Sequence, residues 1–198
     1  MKPLLFDVPR LYGNIFIVAI IVWALSERVG AFLLRSPATA ARRDRGSYWA
    51  VVGGMVIGIG GAFACAAYLP QLALTTHRYT IFWIGILLMV AGLALRWVAI
   101  YTLGHSFTLH VAVCENQALI QSGPYRTLRH PAYSGVLLTM LGMALVLANW
   151  ASLVMMVLGG LSGLLYRIHV EEQALIEHFG QPYREYMRRT DRLIPYVW

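Results

Sequence analysis

Long apolar blocks broken by short polar connectors run the length of this chain, and within the blocks no polar face recurs at helical spacing. Five blocks can be drawn: about Asn14 to Leu34, Tyr48 to Leu69, Ile81 to Leu103, Pro131 to Ala148 and Ala151 to Ile168. At 1.5 Å per residue, helices of these lengths cover ~27–35 Å, against a hydrocarbon core of ~30 Å. The pattern predicts an all-α integral membrane protein with about five transmembrane helices. Only Asn149 and Trp150 separate the last two blocks. Two residues cannot form an extramembrane domain, so the last two spans are expected as an antiparallel helical hairpin.

Composition agrees. Of 198 residues, 59% are hydrophobic and 13% charged, where a soluble domain is about a quarter charged. One membrane domain over 1–198 is expected, its N-terminal spans within 1–80. The net charge of +7 does not point to nucleic acid, because the basic residues sit in connectors beside apolar blocks. Arg35, Arg42, Arg43, Arg45, Arg126, Arg129, Arg184, Arg188, Arg189 and Arg192 fall on one side, and Lys2, Arg10 and Arg78 on the other. The richer side belongs in the cytoplasm, with the N-terminus outside and the C-terminus inside. No small-residue cleavage site closes the first apolar run, so it reads as a retained span.

Cys65 and Cys114 form neither a metal spacing nor a disulfide framework, and no metal is expected. In "GGMVIGIGG" (53–61), Gly58-Ile59-Gly60 has no glycine at 63 and no preceding strand, so close helix packing is a better reading than a nucleotide fingerprint. Gly54 and Gly58, like Gly159 and Gly163, have the four-residue spacing that lets membrane helices approach closely.

Two polar regions adjoin the hairpin. In "SGPYRTLRHPAYSG" (122–135), His130-Pro131 reads as a helix start, because proline's missing N–H is an orphan there anyway. Such a start attracts an anion, and Arg129, Tyr125 and Tyr133 beside His130 suggest a ligand pocket. In "YRIHVEEQALIEHFGQPYREY" (166–186), Arg167 and Glu171 share a helix face at i, i+4. On an exposed surface such a pair contributes little. At a membrane boundary, ionisable groups are costly and mark function.

"LGHSFT" (103–108), "ALIQSGPYRTLRHPAYSG" (118–135) and "RIHVEEQALIEHFGQPYREY" (167–186) together resemble isoprenylcysteine carboxyl methyltransferases and their prokaryotic relatives. The resemblance covers 96–198, which it marks as the catalytic half. It implies S-adenosylmethionine as cofactor, with a cytoplasmic site built from the connector and the start of the tail. Residue by residue, it implies that Gln117, Ala118, Leu119, Ile120 and Tyr125 line the cofactor. His130, Pro131, Ala132 and Tyr133 continue the pocket, and Glu171 faces the cofactor's ammonium. Arg167 matches the arginine associated with the substrate carboxylate. Glu172 would support the site, and His110 is a further candidate.

The implied chemistry is methyl transfer to the carboxylate of a prenylcysteine-like or other lipidic acceptor. An ionised carboxylate needs no general base, only orientation by a cation such as Arg167. Alternatives are transfer to a small thiol or a phospholipid amine, which needs deprotonation, and an NADPH-dependent sterol or enone reductase. Membrane lipids and a lipidic or small-molecule acceptor are the expected partners.

Overall fold

The computed structural model describes residues 9–33, 41–42, 44–104, 112–113 and 118–197. Five long helices form the body: α1 (Arg10–Leu33), α2 (Ser47–Tyr68), α3 (Arg78–Leu103), α4 (Pro131–Leu147) and α5 (Trp150–Phe179). A short α6 (Gln181–Met187) follows. Two two-residue strands, β1 (Ala41–Arg42) and β2 (Ala112–Val113), pair antiparallel and are a minor addition to the all-helical expectation.

Among the described residues, α1, α2, α3 and α5 are long and apolar enough to cross a membrane, one fewer than the sequence pattern suggested. Helix α4 has 17 residues, which at 1.5 Å each is ~25 Å. It is bounded by Pro131 in its first turn and by Ala148, left-handed at φ 47°. Helix α5 errs in the other direction. It runs 30 residues without a break, ~45 Å, because nothing interrupts it before Gly180 at φ 63° and Pro182. Arg167, Glu171 and Glu172 therefore stand on a rigid extension of a membrane helix.

Helices α4 and α5 do form an antiparallel hairpin, with Gly160 against Met140 and Leu137. Its turn is fixed by Asn149, whose side chain accepts from the Ser152 N–H at 3.1 Å and donates to the Leu69 carbonyl at 2.8 Å. Yet each hairpin helix packs more extensively on an earlier one, α4 on α3 and α5 on α2. Lipid supplies no hydrophobic drive between helices, so close approach of backbones decides which faces meet. A Cβ on Gly58 would lie 3.2 Å from Gly159 Cα, and one on Gly92 2.6 Å from the Gly135 carbonyl. Gly85 and Gly142 meet in the same way. The shared core takes buried residues from all five long helices, Phe16, Ala62, Met89, Met140 and Met156 among them.

Helix α1 joins through the Tyr12 ring against Phe82 and through an ion pair, Arg96 Nε to Glu27 Oε1 at 2.6 Å.

Candidate functional site

Arg167 projects from α5 next to the first turn of α4. Its Nε donates to the Tyr133 hydroxyl at 2.6 Å, and that hydroxyl donates to Glu171 Oε2 at 2.5 Å. The i, i+4 pair thus communicates through a phenol contributed by another helix. Arg167 Cζ also lies 5.8 Å from the Tyr133 ring centre, within cation–π range. A second guanidinium nitrogen, Nη1, is 3.4 Å from Asp44 Oδ1. Arg167 and Asp44 are both 5% exposed, so the pair is screened from solvent.

Glu172, the next residue, faces elsewhere. Its carboxylate receives Arg129 Nε at 2.9 Å and Arg192 Nη2 at 3.0 Å, and His130 Nε2 is 3.5 Å away. The anion that Arg129 and His130 meet is therefore this chain's own Glu172. The start of α4 is covered as well. The His130 N–H donates to the Arg192 carbonyl at 3.1 Å, and Ser134 Oγ to the Leu193 carbonyl at 2.6 Å. Arg129 Nη1 adds bonds to the Met187 and Thr190 carbonyls. At the helix start read from His130-Pro131, the His130 N–H and the Ser134 hydroxyl dock the tail, while the Tyr133 and Ser134 N–H groups turn back to the His130 carbonyl.

Tyr186 extends the docking by donating to the Tyr125 carbonyl at 2.8 Å. Burial is the main cause that pushes its phenol up to about 12, against opposing pulls from Arg129 and from the Thr190 hydrogen bond. Burial first, then Glu171 and Tyr133, raises Tyr125 well above the usual phenol range, and Tyr183 shifts the same way by burial, then Glu172. All three are neutral at physiological pH.

The remaining sequence candidates divide into groups. Gln117 and His110 lie outside the described residues. Ala118 is exposed, and Leu119 and Ile120 are half-buried. Ile120 packs against Ala99, Tyr125 and Ala132, which form one small apolar cluster. His130 and Pro131 are buried, with the His130 ring stacked 5.5 Å from Tyr133. The structure thus brings Arg167, Tyr133 and Glu171 together, sets Ile120, Tyr125 and Ala132 in one apolar wall, and leaves His130 behind Tyr133 facing Glu172. Among the described residues, no group of His, Cys, Asp or Glu could hold a metal. Sequence reasoning missed Asp44, and no local motif marks it. It also passed over Arg96, although a charge inside an apolar block was a visible signal; its Nη1 reaches the Ala132 carbonyl at 3.5 Å.

Comparison with known proteins places this geometry in context. The model of the isoprenylcysteine carboxyl methyltransferase (ICMT) family matches residues 83–177. A protein-S-isoprenylcysteine O-methyltransferase of Saccharomyces cerevisiae is 35% identical over 117 residues, 58% of this chain and 48% of that protein. Protein-S-isoprenylcysteine O-methyltransferase A of Arabidopsis thaliana is 31% identical over 135 residues, 66% of this chain and 68% of that one. A probable protein-S-isoprenylcysteine O-methyltransferase of Oryza sativa subsp. indica is 32% identical over 117 residues, 61% of its length. A solved structure of the eukaryotic intramembrane Ras methyltransferase ICMT superposes with a TM-score of 0.61 at 27% identity. That match covers 73% of this chain and 51% of that one. The chain spans about half to two thirds of the length of these relatives.

Proposed function

Because the chain belongs to the isoprenylcysteine carboxyl methyltransferase family, we propose that it transfers a methyl group from S-adenosylmethionine to the carboxylate of a prenylcysteine-like or other lipidic acceptor at the membrane. The activities named for these relatives support this reading, and they lend no support to the thiol, phospholipid-amine or reductase alternatives. One observation of the site carries it: a cation and an acid on consecutive turns of α5, joined through the Tyr133 hydroxyl where the helix leaves the apolar span.

The donor set fits the cofactor. Glu171 is half-buried and supplies the carboxylate that an ammonium requires, while Ile120, Tyr125 and Ala132 supply an apolar wall. Ala118 and Leu119 would continue that wall, and Gln117 stays a candidate through the family resemblance alone. His130 and Pro131 would act from behind, holding Tyr133 in place. When bound, S-adenosylmethionine provides an activated methyl on a sulfonium that leaves as a neutral thioether.

The protein's task is then alignment. Arg167 lies one turn nearer the bilayer than Glu171, so a membrane-borne acceptor presents its carboxylate to the guanidinium, which can grip it with two parallel hydrogen bonds. The acceptor is already ionised at neutral pH, and no residue has to remove a proton. Tyr133 orients both charged groups at once, donating to Glu171 and accepting from Arg167. The basic asymmetry of the connectors supports a cytoplasmic site with the C-terminus inside.

The test is paired. Arg167→Ala should leave S-adenosylhomocysteine affinity within about twofold by calorimetry while methyl transfer falls by at least ~100-fold, the loss expected when a positioning contact is removed. Arg167→Lys should restore little, because a point charge lacks the fork. Parallel loss of binding and turnover would return Arg167 to a structural role.

A further inference from the structure

Three features of the structure stand outside the site just described. An apolar cavity of about 470 Å³ lies between α4, α5 and the tail, lined by Leu137, Leu141, Val157 and Leu161. A smaller cavity of about 190 Å³ is lined by Gln121, Arg126 and Arg189. The third is the connector that leads into α2, and it touches Arg167 itself.

At that connector the backbone makes an elbow. Arg45 and Gly46 are both left-handed, at φ 44° and 77°. Glycine adopts this region freely, but for arginine it costs about 1 kcal/mol, and such residues persist where the surroundings fix them. Here the surroundings are α5. The Tyr166 hydroxyl donates to the Arg45 carbonyl at 3.1 Å, and Arg45 Nη1 donates to Gln173 Oε1 at 3.3 Å. Between these clamps, the elbow turns Asp44 inward to 5% exposure. Its Oδ1 accepts from Ser47 Oγ at 2.7 Å and from the Tyr48 N–H at 3.3 Å, and it lies 3.4 Å from Arg167 Nη1. The carboxylate is thus fixed by its own connector before it meets the guanidinium.

We propose that Asp44 is a positioning residue for methyl transfer: it fixes the Arg167 guanidinium through Nη1 while Tyr133 fixes it through Nε. This rests on the reading of Arg167 given above. Two anchors on different nitrogens define the plane of the fork, and a bidentate grip on a carboxylate depends on that plane. Tyr133 acts on Nε, one edge of that plane, and Asp44 on Nη1. The consequence reaches beyond one residue. Asp44 lies outside residues 83–177, which the family model matches, so the N-terminal half supplies part of the reaction machinery.

Asp44→Asn keeps the shape and the acceptor atom that Ser47 and Tyr48 use, and removes the charge. The enzyme would be assayed with methyl-labelled S-adenosylmethionine and an N-acetylated S-prenylcysteine, in wild type, Asp44→Asn, Arg167→Ala and the double variant. Asp44→Asn should lower kcat/KM for the acceptor by about 10–100-fold, as misplaced positioning groups do, with S-adenosylhomocysteine affinity unchanged. In the Arg167→Ala background it should cost nothing more. Equal losses in both backgrounds would overturn the proposal, as would full activity in Asp44→Asn. If wild type methylates no carboxylate, the proposed function fails, and a readout without turnover decides on Asp44. Phenylglyoxal modification of Arg167, followed by mass spectrometry, should accelerate several-fold in Asp44→Asn. An unchanged rate would show that Asp44 does not hold the guanidinium.

Discussion

Glu171 and Glu172 are neighbours in sequence with separate surroundings. Glu171 reaches Tyr133 and the proposed cofactor site, while Glu172 is gripped by Arg129, Arg192 and His130. Glu171→Gln should weaken S-adenosylhomocysteine binding by about 1.5–3 kcal/mol, the range for a charge-assisted hydrogen bond, and barely change thermal stability. Glu172→Gln should do the reverse. It leaves Arg129 facing a neutral amide in a buried setting, which costs about 3 kcal/mol, the low end for breaking a buried pair. Arg192 is 35% exposed and contributes little to that figure. Calorimetry and thermal unfolding of both variants check the assignment, and an exchange of the two phenotypes would contradict it. The sequence marked this helix as a candidate site, because charge at a membrane boundary is conspicuous. The residues alone did not show which glutamate faced which protein partner, since Tyr133, Arg129 and His130 lie some 40 residues earlier and Arg192 lies 20 residues later.

Among elements, the glycines of α2 offer the sharpest contrast. Gly53 and Gly60 face open space, whereas a Cβ on Gly54 would strike the Gly159 carbonyl. Gly60→Ala should therefore be neutral or stabilise by up to about 1 kcal/mol through helix propensity. Gly54→Ala should destabilise by about 1–3 kcal/mol, the usual cost of overpacking. Thermal unfolding in one detergent compares them directly. The four-residue spacing of Gly54 with Gly58, and of Gly159 with Gly163, was legible because it puts small residues on one helix face. That these faces would meet each other, and not the hairpin partner, was not legible, since spacing names a face and never its mate. The docked tail has its own signature. Tyr186 is raised from about 10 to about 12, so the folded state holds its proton more tightly than the unfolded state. Its contribution is complete below pH 10 and is lost as pH rises through 12. Tail release, followed by proteolysis near Arg188, should increase across that window, and Tyr186→Phe should flatten the rise.

For the whole molecule, the sequence disclosed an integral membrane helical protein of this family, because long apolar blocks and the contiguous motifs from 103 onward are local signals. The contribution of Asp44 was hidden, since the pairing of α2 with α5 is what carries a connector from the other half of the chain to Arg167. The connectors predict an orientation, with ten basic residues in those assigned to one side and three in those assigned to the other. A single cysteine near Asp191 should react with a membrane-impermeant reagent only from the cytoplasmic side, and one near Arg78 only from outside. Labelling at 191 from outside would move the site to the wrong compartment. The central claim, methyl transfer to a carboxylate, has a chemical test of its own. Purified protein is incubated with methyl-labelled S-adenosylmethionine and an N-acetylated S-prenylcysteine, and the product is treated with mild alkali. A methyl ester hydrolyses, so the label should appear as volatile methanol, and Arg167→Ala should lower it at least ~100-fold. Label that survives alkali, bound to sulfur or nitrogen, would contradict the account.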